Sequence, residues 1–508
     1  MTKSLTESFR EFVLEHEGDD PSSLMLSRGR WPEVDVNAAV TAIECRRKIR
    51  TKLPEWYAEP GIIFPDRICA EQSSSSETAS YKASVASRII RETLADKYAD
   101  ISTESDESHS DVIRGRIADL TGGLGVDSLA FSRVAKNVLY NEMNPERAAA
   151  AKHNFALLGA ANIDVISHCV QPRKSLADDF WDTLTTFRPD LIYMDPARRS
   201  TTGNKVFLLE DCSPDVLTLL SDLFRISVNL LLKLSPMADI SMLITRLREH
   251  QGYVHEIHVV AAVGECKELL LWVRPEPCSR PRLFINENGH IIEADESSCD
   301  ATPKFLHQDQ LPTMTSLFEP GKALAKAGLF QAVASLFKVN AYKAGRSTHL
   351  YFSPEDLNLD STPSGEGCKG NGFREGLGCI DPNLRNFGKI FKILEVGPLN
   401  KQTIRDFGRK YPKAEVSARN IPMTSDELRK KLKVVSGGDI HIFGIRVDFE
   451  NATTATYLIA TQREKNGIES ENPIPLIVTT GRNQYNYLIN CSFRRSIFAS
   501  ASSPFAPK

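Results

Sequence analysis

From Val112 onward the chain alternates short apolar runs with helix-length segments, and this alternation restricts the fold more than any other feature. Candidate strands fall at Arg116–Leu120, Asn137–Asn141, Ile163–Ser167, Leu191–Met194, Asn229–Leu234, Val254–Ala262 and Glu268–Val273. Strands separated by helical stretches run parallel, because a crossover is needed to bring the chain back to the same end of the sheet. The pattern predicts an α/β fold: a doubly wound, seven-stranded, mostly parallel sheet. Its last two strands lie close enough in sequence to form an antiparallel edge. Residues 1–105 show helical periodicity instead, at Phe9, Phe12 and Val13, at Ala38–Ile49 and at Ser76–Ala95, followed by the acidic, Ser-rich stretch Ala99–Asp111. Beyond Pro275, Phe318–Phe337 reads as one amphipathic helix and Ser353–Asn386 as a Gly-rich insertion. A last module of strand and helix pieces runs from Ile390 to about Thr461, with a helix at Ser425–Leu432.

Three stretches of the α/β region carry chemistry. RIADLTGGLGVDSLAFS ends a strand at Asp119 and turns through Thr121, Gly122, Gly123, Leu124 and Gly125 into a helix. Glycines at such a turn let the backbone approach a ligand at a helix N-terminus. Alone, the turn fits a dinucleotide pyrophosphate, or no ligand at all. Glu142 ends the next strand and has Met143 beside it in the same candidate cofactor set. A carboxylate there can accept both ribose hydroxyls, or simply be a solvated acid. The fourth strand ends in Asp195-Pro196-Ala197-Arg198, at the crevice where open α/β sheets bind ligands. That element belongs to methyl transfer rather than hydride transfer. Together the three predict a site for S-adenosyl-L-methionine (SAM), with Asp119 suited to a free ammonium and hostile to a diphosphate.

Composition narrows the classes further. Lys+Arg 62 against Asp+Glu 65 leaves a net charge of −3 over 508 residues, so no global basic field advertises a nucleic acid. No apolar stretch approaches the roughly 20 residues that cross a bilayer, and the first residues lack the pattern of a secretion signal. The 10 cysteines include no C-x-x-C pair, which suits neither a disulfide scaffold nor zinc. The expectation is a cytoplasmic protein with no membrane partner and no metal.

A resemblance joins these readings. KLPEWY (Lys52–Tyr57), EQSSSSETASYKAS (Glu71–Ser84), DLTGGLGVD (Asp119–Asp127), DPARR (Asp195–Arg199), LKLSPM (Leu232–Met237), ECKELLLW (Glu265–Trp272), FEPGKALAKAG (Phe318–Gly328), THLYFS (Thr348–Ser353) and RNIPMTSDELRKKL…GGD (Arg419–Asp439) occur in this order. The chain thereby resembles, over about residues 8–462 apart from the Gly-rich insertion, a bacterial (Bacteroidetes-type) class I SAM-dependent methyltransferase family with a C-terminal THUMP-like domain. The resemblance implies an N-terminal helical domain (1–105) and a Rossmann-like methyltransferase core (106–280). It further implies a ferredoxin-like linking module (281–355), the insertion (356–386), a THUMP-like RNA-binding module (387–462) and a tail (463–508). It also implies that the Ser/Thr-rich segment Gln72–Glu77, with Ser74 and Ser75, folds onto the methionine end of SAM; a helix cap is the alternative there. SHCVQ (Ser167–Gln171) departs from the acid that commonly meets the adenine amino group.

Enzymes that methylate exocyclic amines often carry Asp-Pro-Pro-Tyr at the fourth strand. Asp195 and Pro196 retain the acceptors for such an amine, while Arg198 replaces the stacking ring. A guanidinium can stack on a base, hold a phosphate, or pair with Glu210 or Asp211. Pyrimidine C5 chemistry needs a cysteine nucleophile, and Leu234 stands where relatives of that kind have it; Cys212 and Cys266 read as buried thiols. Attack by nitrogen or oxygen remains, with Asp195, Pro196 and Arg198 as catalytic candidates. Finally, residues 385–433 hold thirteen Lys/Arg against five acids, about +8, interleaved with Phe387, Phe391, Phe407 and Tyr411. Such a segment fits phosphate contacts, or a solvated helical face; the aromatics could stack on bases, although most read as core residues. The expected function is SAM-dependent methylation of a base nitrogen in structured RNA (tRNA or rRNA). The alternatives are a protein or small-molecule methyltransferase, and a SAM-binding, RNA-binding protein without turnover.

Overall fold

The structure is a computed structural model that describes residues 7–99, 115–174, 178–198, 209–294, 301–357, 373–374, 378–379 and 383–463. Most of the Gly-rich insertion, residues 100–111 of the acidic stretch and the tail from 464 lie outside the described residues.

The strands of the α/β region are β1 (Arg116–Asp119), β2 (Asn137–Asn141), β3 (Ile163–Ile166), β4 (Leu191–Met194), β5 (Ala197–Arg198), β6 (Cys212–Ser213), β7 (Leu230–Leu234), β8 (Tyr253–Ala262), β9 (Glu265–Arg274), β10 (Arg282–Glu287) and β11 (His290–Ala294). All but the small β5–β6 pair form one sheet in the order β11-β10-β8-β9-β7-β4-β1-β2-β3. From β3 to β7 neighbours are parallel; β9 then runs antiparallel between β7 and β8. The seven expected strands are therefore present. Their antiparallel pair is not the edge, however, because β10 pairs parallel to β8 and β11 folds back on β10. Residues 282–287 thus satisfy the open backbone of β8, and with β11 they belong to this sheet rather than to a separate linking module.

Alternation along each strand builds two cores. Ile117, Leu191, Tyr193 and Leu231 face one side, under the helices Ser76–Ala99, Val126–Ser132 and Pro145–Leu157. Ala118, Ile192, Met194, Leu230, Leu232 and Leu234 face the other, under Asp179–Phe187, Val216–Phe224 and Ile240–Glu249. Such a sheet is buried on both faces, which is why its strands read as continuous apolar runs. The N-terminal region divides likewise. Phe12, Val13, Leu24 and Val40 make a small core of their own, whereas Cys45, Ile49, Trp56 and the helix Ser76–Ala99 pack into the sheet's core.

The second sheet comprises β12 (Ser316–Pro320), β13 (Tyr342–Lys343), β14 (Tyr351–Ser353), β17 (Gly388–Pro398), β18 (Glu415–Arg419), β19 (Ile440–Asp448) and β20 (Thr454–Arg463), in the order β13-β14-β12-β17-β20-β19-β18; β15 (Phe373–Arg374) and β16 (Gly378–Cys379) form a separate pair. Strands from both sides of the insertion thus share one sheet, since Leu317 pairs with Phe391. The single helix expected over Phe318–Phe337 is corrected to strand Ser316–Pro320 followed by helices Lys322–Lys326 and Val333–Leu336. Pro320 ends the strand, and Gly328 sits at φ +73°, a conformation that interrupts a helix. Glu287 at the end of β10 accepts from the amides of Lys322 and Ala323, and a Cβ on Gly321 would lie 2.5 Å from that carboxylate. The two sheets are joined through this cap.

Candidate functional site

Asp119, Glu142 and Asp195 stand at the carboxyl ends of β1, β2 and β4, three neighbouring parallel strands. The Gly-rich turn spans between them. Gly122 packs so closely on Tyr140 that a Cβ would lie 2.0 Å from its ring, and Gly125, at φ +94°, would meet Phe155 at 2.5 Å. Gly123, also at positive φ (+56°), has open space where its Cβ would be. The turn's amides point inward: Thr121 N donates to Asp119 Oδ1 (3.1 Å), Gly122 N to the Asn141 carbonyl (2.8 Å), Gly123 N to Glu142 Oε2 (3.0 Å) and Gly125 N to the Gly122 carbonyl (2.9 Å). A pyrophosphate cradle needs such amides free. Four of them are already bonded, so the turn suits a ligand without phosphate.

Glu142 is held by two amides, Gly123 N and Asn144 N, each 3.0 Å from a different carboxylate oxygen. Both oxygens keep further lone pairs for a vicinal diol. Met143, 63% exposed beside it, presents an apolar surface at the same rim. Asn141 braces the neighbouring loop, donating to the His168 carbonyl and accepting from His168 N. Within that loop His168 is half-buried and Cys169 exposed.

Asp119 is 1% exposed and accepts from Ser128 Oγ (2.6 Å) as well as from Thr121 N. Burial pushes its carboxyl up to about 7, and nearby Asp127 and Asp195 add to this against the two hydrogen bonds. A cationic ligand group would restore its charge. Thr121 Oγ1 accepts from Asp195 N at 2.6 Å, fixing the Asp-Pro turn to the Gly-rich turn. Pro196 is buried and Asp195 half-buried. Arg198 lies in β5, paired with Cys212, but its side chain falls outside the described residues. Of its two proposed carboxylate partners, Glu210 is bonded to Arg246.

Sequence reasoning missed a cluster of charges beneath these turns. Lys82 is fully buried and donates to Ser74 Oγ (2.8 Å) and to both oxygens of Glu268 (3.1 and 2.9 Å), with Asp127 Oδ1 at 3.2 Å. Asp127 Oδ2 accepts from Ser74 Oγ (3.0 Å) and Tyr193 Oη (2.8 Å). Lys233 pairs with Asp195 Oδ2 at 2.5 Å. Burial works against the Lys233 charge, but Asp195, Glu268 and Asp127 outweigh it and hold its pKa above the ordinary value. Burial raises Glu268 despite the two lysines; at Asp127 burial is outweighed by Lys82 and Lys233, and the carboxyl is lowered. The available signal was one lysine or glutamate inside an otherwise apolar strand, as in LLLKL and KELLLW. Ser74 therefore spends its hydroxyl inside the protein. Ser75 caps the helix Ser76–Ala99: its Oγ accepts from Thr78 N at 3.2 Å while its amide donates to Thr78 Oγ1.

Cys212 is buried and Cys266, expected to be buried, is half-buried; neither is an activated thiol, since desolvation pushes Cys212 up to about 12 and Cys266 up to about 11. In and around the second sheet Phe387, Phe391 and Phe407 are core residues, as the sequence suggested for most of these aromatics, and are not free to stack on bases; Tyr411 is half-buried, its hydroxyl on Glu395. Among the described residues no helix is long and apolar enough to cross a membrane.

Residues 388–463 match the THUMP domain-like family. Over 221 residues, 43% of this chain, the sequence is 28% identical to two uncharacterised S-adenosylmethionine-dependent methyltransferases from two strains of Mycobacterium tuberculosis. The alignment spans about half the length of these curated relatives, 53%. A crystal structure from Porphyromonas gingivalis W83, attributed to a methyltransferase, superposes with a TM-score of 0.66 at 26% identity, covering 90% of this chain and 98% of that one. The chain thus has an α/β, Rossmann-like methyltransferase fold, is similar to SAM-dependent methyltransferases, and carries a THUMP-like domain at its C-terminal side.

Proposed function

We propose that the protein is a SAM-dependent methyltransferase acting on a nitrogen of structured RNA, tRNA or rRNA, in the cytoplasm. One observation carries the methyl-transfer reading: Asp119, Glu142 and Asp195 stand together at the carboxyl ends of three neighbouring strands, with the last bonded through its amide to the Gly-rich turn. Glu142 and Met143 would hold the adenosine, Asp119 the ammonium, and Gly123 would leave the ligand room. The cofactor, when bound, supplies an electrophilic methyl group. Asp195, paired with Lys233, accepts a hydrogen bond from the attacking amine and aligns its lone pair; Pro196 offers a second acceptor in its carbonyl. With Cys212 and Cys266 un-ionised, attack by the acceptor's own nitrogen or oxygen is favoured over covalent catalysis.

The RNA reading is supported by the THUMP-like match and by the exposed cations of helices Lys401–Lys410 and Ser425–Leu432. These helices touch, since a Cβ on Gly408 would lie 2.1 Å from the Leu432 carbonyl, which brings their basic last turns together. Membership of the Bacteroidetes-type family and the domain limits inferred from sequence, with residues 282–294 joined to the core, belong to the same reading.

Mass spectrometry of modified nucleosides in tRNA and rRNA from a deletion strain tests it: one methylated nucleoside should vanish. An unchanged nucleoside inventory would turn the reading toward a protein or small-molecule acceptor. With the acceptor in hand, Asp195→Asn should lower turnover by about a thousandfold or more while S-adenosylhomocysteine still binds. Loss of binding together with turnover would make Asp195 a cofactor residue instead.

A further inference from the structure

Four of the short motifs bring a lysine to the same place. Lys52, Lys82, Lys233 and Lys267 come from KLPEWY, SYKAS, LKLSPM and ECKELLLW, and the last three lie within electrostatic reach of the first. Three of them are neutralised. Lys82 sits on Glu268 and Asp127, Lys233 on Asp195, and Lys267 on Glu265 at 2.7 Å. Lys52 differs. Its ammonium donates to the carbonyls of Ala70 (3.2 Å) and Glu71 (3.0 Å), and among the described residues no carboxylate lies within 4.0 Å of it. The two carbonyls immediately precede Gln72–Ser75, the segment whose Ser74 hydroxyl reaches Asp127 in the first turn after the Gly-rich loop. Lys52 is half-buried, and burial together with the other lysines lowers it to about 8; Asp127 opposes this but does not prevail. An ammonium positioned among cations, with two of its protons on carbonyls and one left over, is a site that lacks an anion.

We propose that Lys52, contributed by the N-terminal helical region, receives the carboxylate of the cofactor's amino acid end. This rests on the SAM reading above. A ligand with its ribose on Glu142 and its ammonium by Asp119 carries one further charged group, a carboxylate. Of the four lysines, Lys52 is the one not already matched to a carboxylate. The helices preceding the sheet would then complete the cofactor site rather than merely cover the sheet.

The test compares S-adenosylhomocysteine with its decarboxylated analogue, the 3-aminopropyl thioether, by calorimetry on the full chain. In the wild type the carboxylate should improve affinity by about 10- to 100-fold, the range of a charge-assisted hydrogen bond. Lys52→Met should abolish that preference, leaving both ligands near the affinity of the analogue, and Lys52→Arg should restore part of it. Because both ligands share the adenosine and the ammonium, general loosening of the loop lowers both and leaves their ratio intact. A Lys52→Met variant that keeps the wild-type ratio would overturn the proposal. If its RNA affinity fell instead, the anion on Lys52 would be an acceptor phosphate. If the wild type bound neither compound, the cofactor reading itself would fall, and the proposal with it.

Discussion

The two sheets handle charge in opposite ways. In the first, charged side chains are buried or half-buried and matched: Lys82 with Glu268 and Asp127, Lys233 with Asp195, and Arg88 with Glu256, which also meets Arg282 and His258. In the second, Lys401, Arg405, Arg409, Lys430, Lys431 and Lys433 are exposed, and among the described residues none has a carboxylate within 4.0 Å. Buried charges remain ionised only where opposite charges and hydrogen bonds repay their lost hydration, so they lock geometry. Exposed like charges contribute little to folding and remain free for a polyanion. One arrangement holds a site in register, while the other leaves an attractive surface. Lys52, half-buried among other lysines and without a carboxylate, departs from this matching, which is why it points to a ligand.

The largest effect should come from breaking a matched set. Lys82→Met leaves the Glu268 and Asp127 carboxylates buried without their shared cation, and should destabilise the chain by about 3–5 kcal/mol. Urea denaturation of the full chain measures it. Pairing the change with Glu268→Leu should recover much of the loss, because an apolar pair no longer strands a charge. A loss below about 1 kcal/mol for Lys82→Met would mean that water reaches the cluster, and the contrast between the sheets would collapse.

The same contrast explains what was legible beforehand. Strands β1, β2, β4 and β7 were readable to within a residue, because a strand buried on both faces has to be a continuous apolar run. Asp119, Glu142 and Asp195 were readable because each ends such a run. The charged cluster was not, since Lys82, Asp127, Lys233 and Glu268 come from four distant segments and each is locally just a charge in apolar sequence. Strands β10 and β11 were missed as part of the first sheet for a related reason: nothing local says which open edge a strand will join. The helix expected over Phe318–Phe337 failed where Pro320 and Gly328 overrode the apolar periodicity. The phenylalanines of the basic segment were ambiguous because core and stacking aromatics look alike in sequence. Only the packing decides.

A smaller effect follows from Asp119, the one carboxyl at the sheet edge that burial pushes up to about 7. A ligand ammonium prefers the ionised form. Below pH 7 the apo carboxyl is mostly protonated, so binding must expel a proton, and affinity should fall as pH falls, by at most about tenfold per unit. Above 7 the carboxyl is already ionised and this dependence should level off. Asp119→Asn, which can still accept from Thr121 N and meet Ser128, should flatten the profile between pH 5.5 and 8. Calorimetric titration of S-adenosylhomocysteine across that range is the measurement. A sloping profile in the variant would assign the proton to another group and leave Asp119 a structural acid.

The smallest effect on the molecule itself belongs to the second sheet, and the sharpest reading of the contrast comes from it. Arg405 and Arg409 lie four residues apart on the helix Lys401–Lys410, so their side chains share one face, while Phe407 between them is buried. Replacing both with alanine removes no core contact and strands no partner. Stability should therefore move by no more than about 0.5 kcal/mol, a small fraction of the Lys82→Met loss. Binding to total tRNA should nonetheless weaken, and the slope of log affinity against log salt should shrink by about two, one for each phosphate contact removed. Stability and slope must separate in this way if the charge is surface held for a polyanion. Were the double variant to unfold, the two arginines would belong to the packing. Were the salt slope unchanged while stability held, the exposed cations of this helix would be ordinary solvated charge, and the RNA reading would have to rest on another surface.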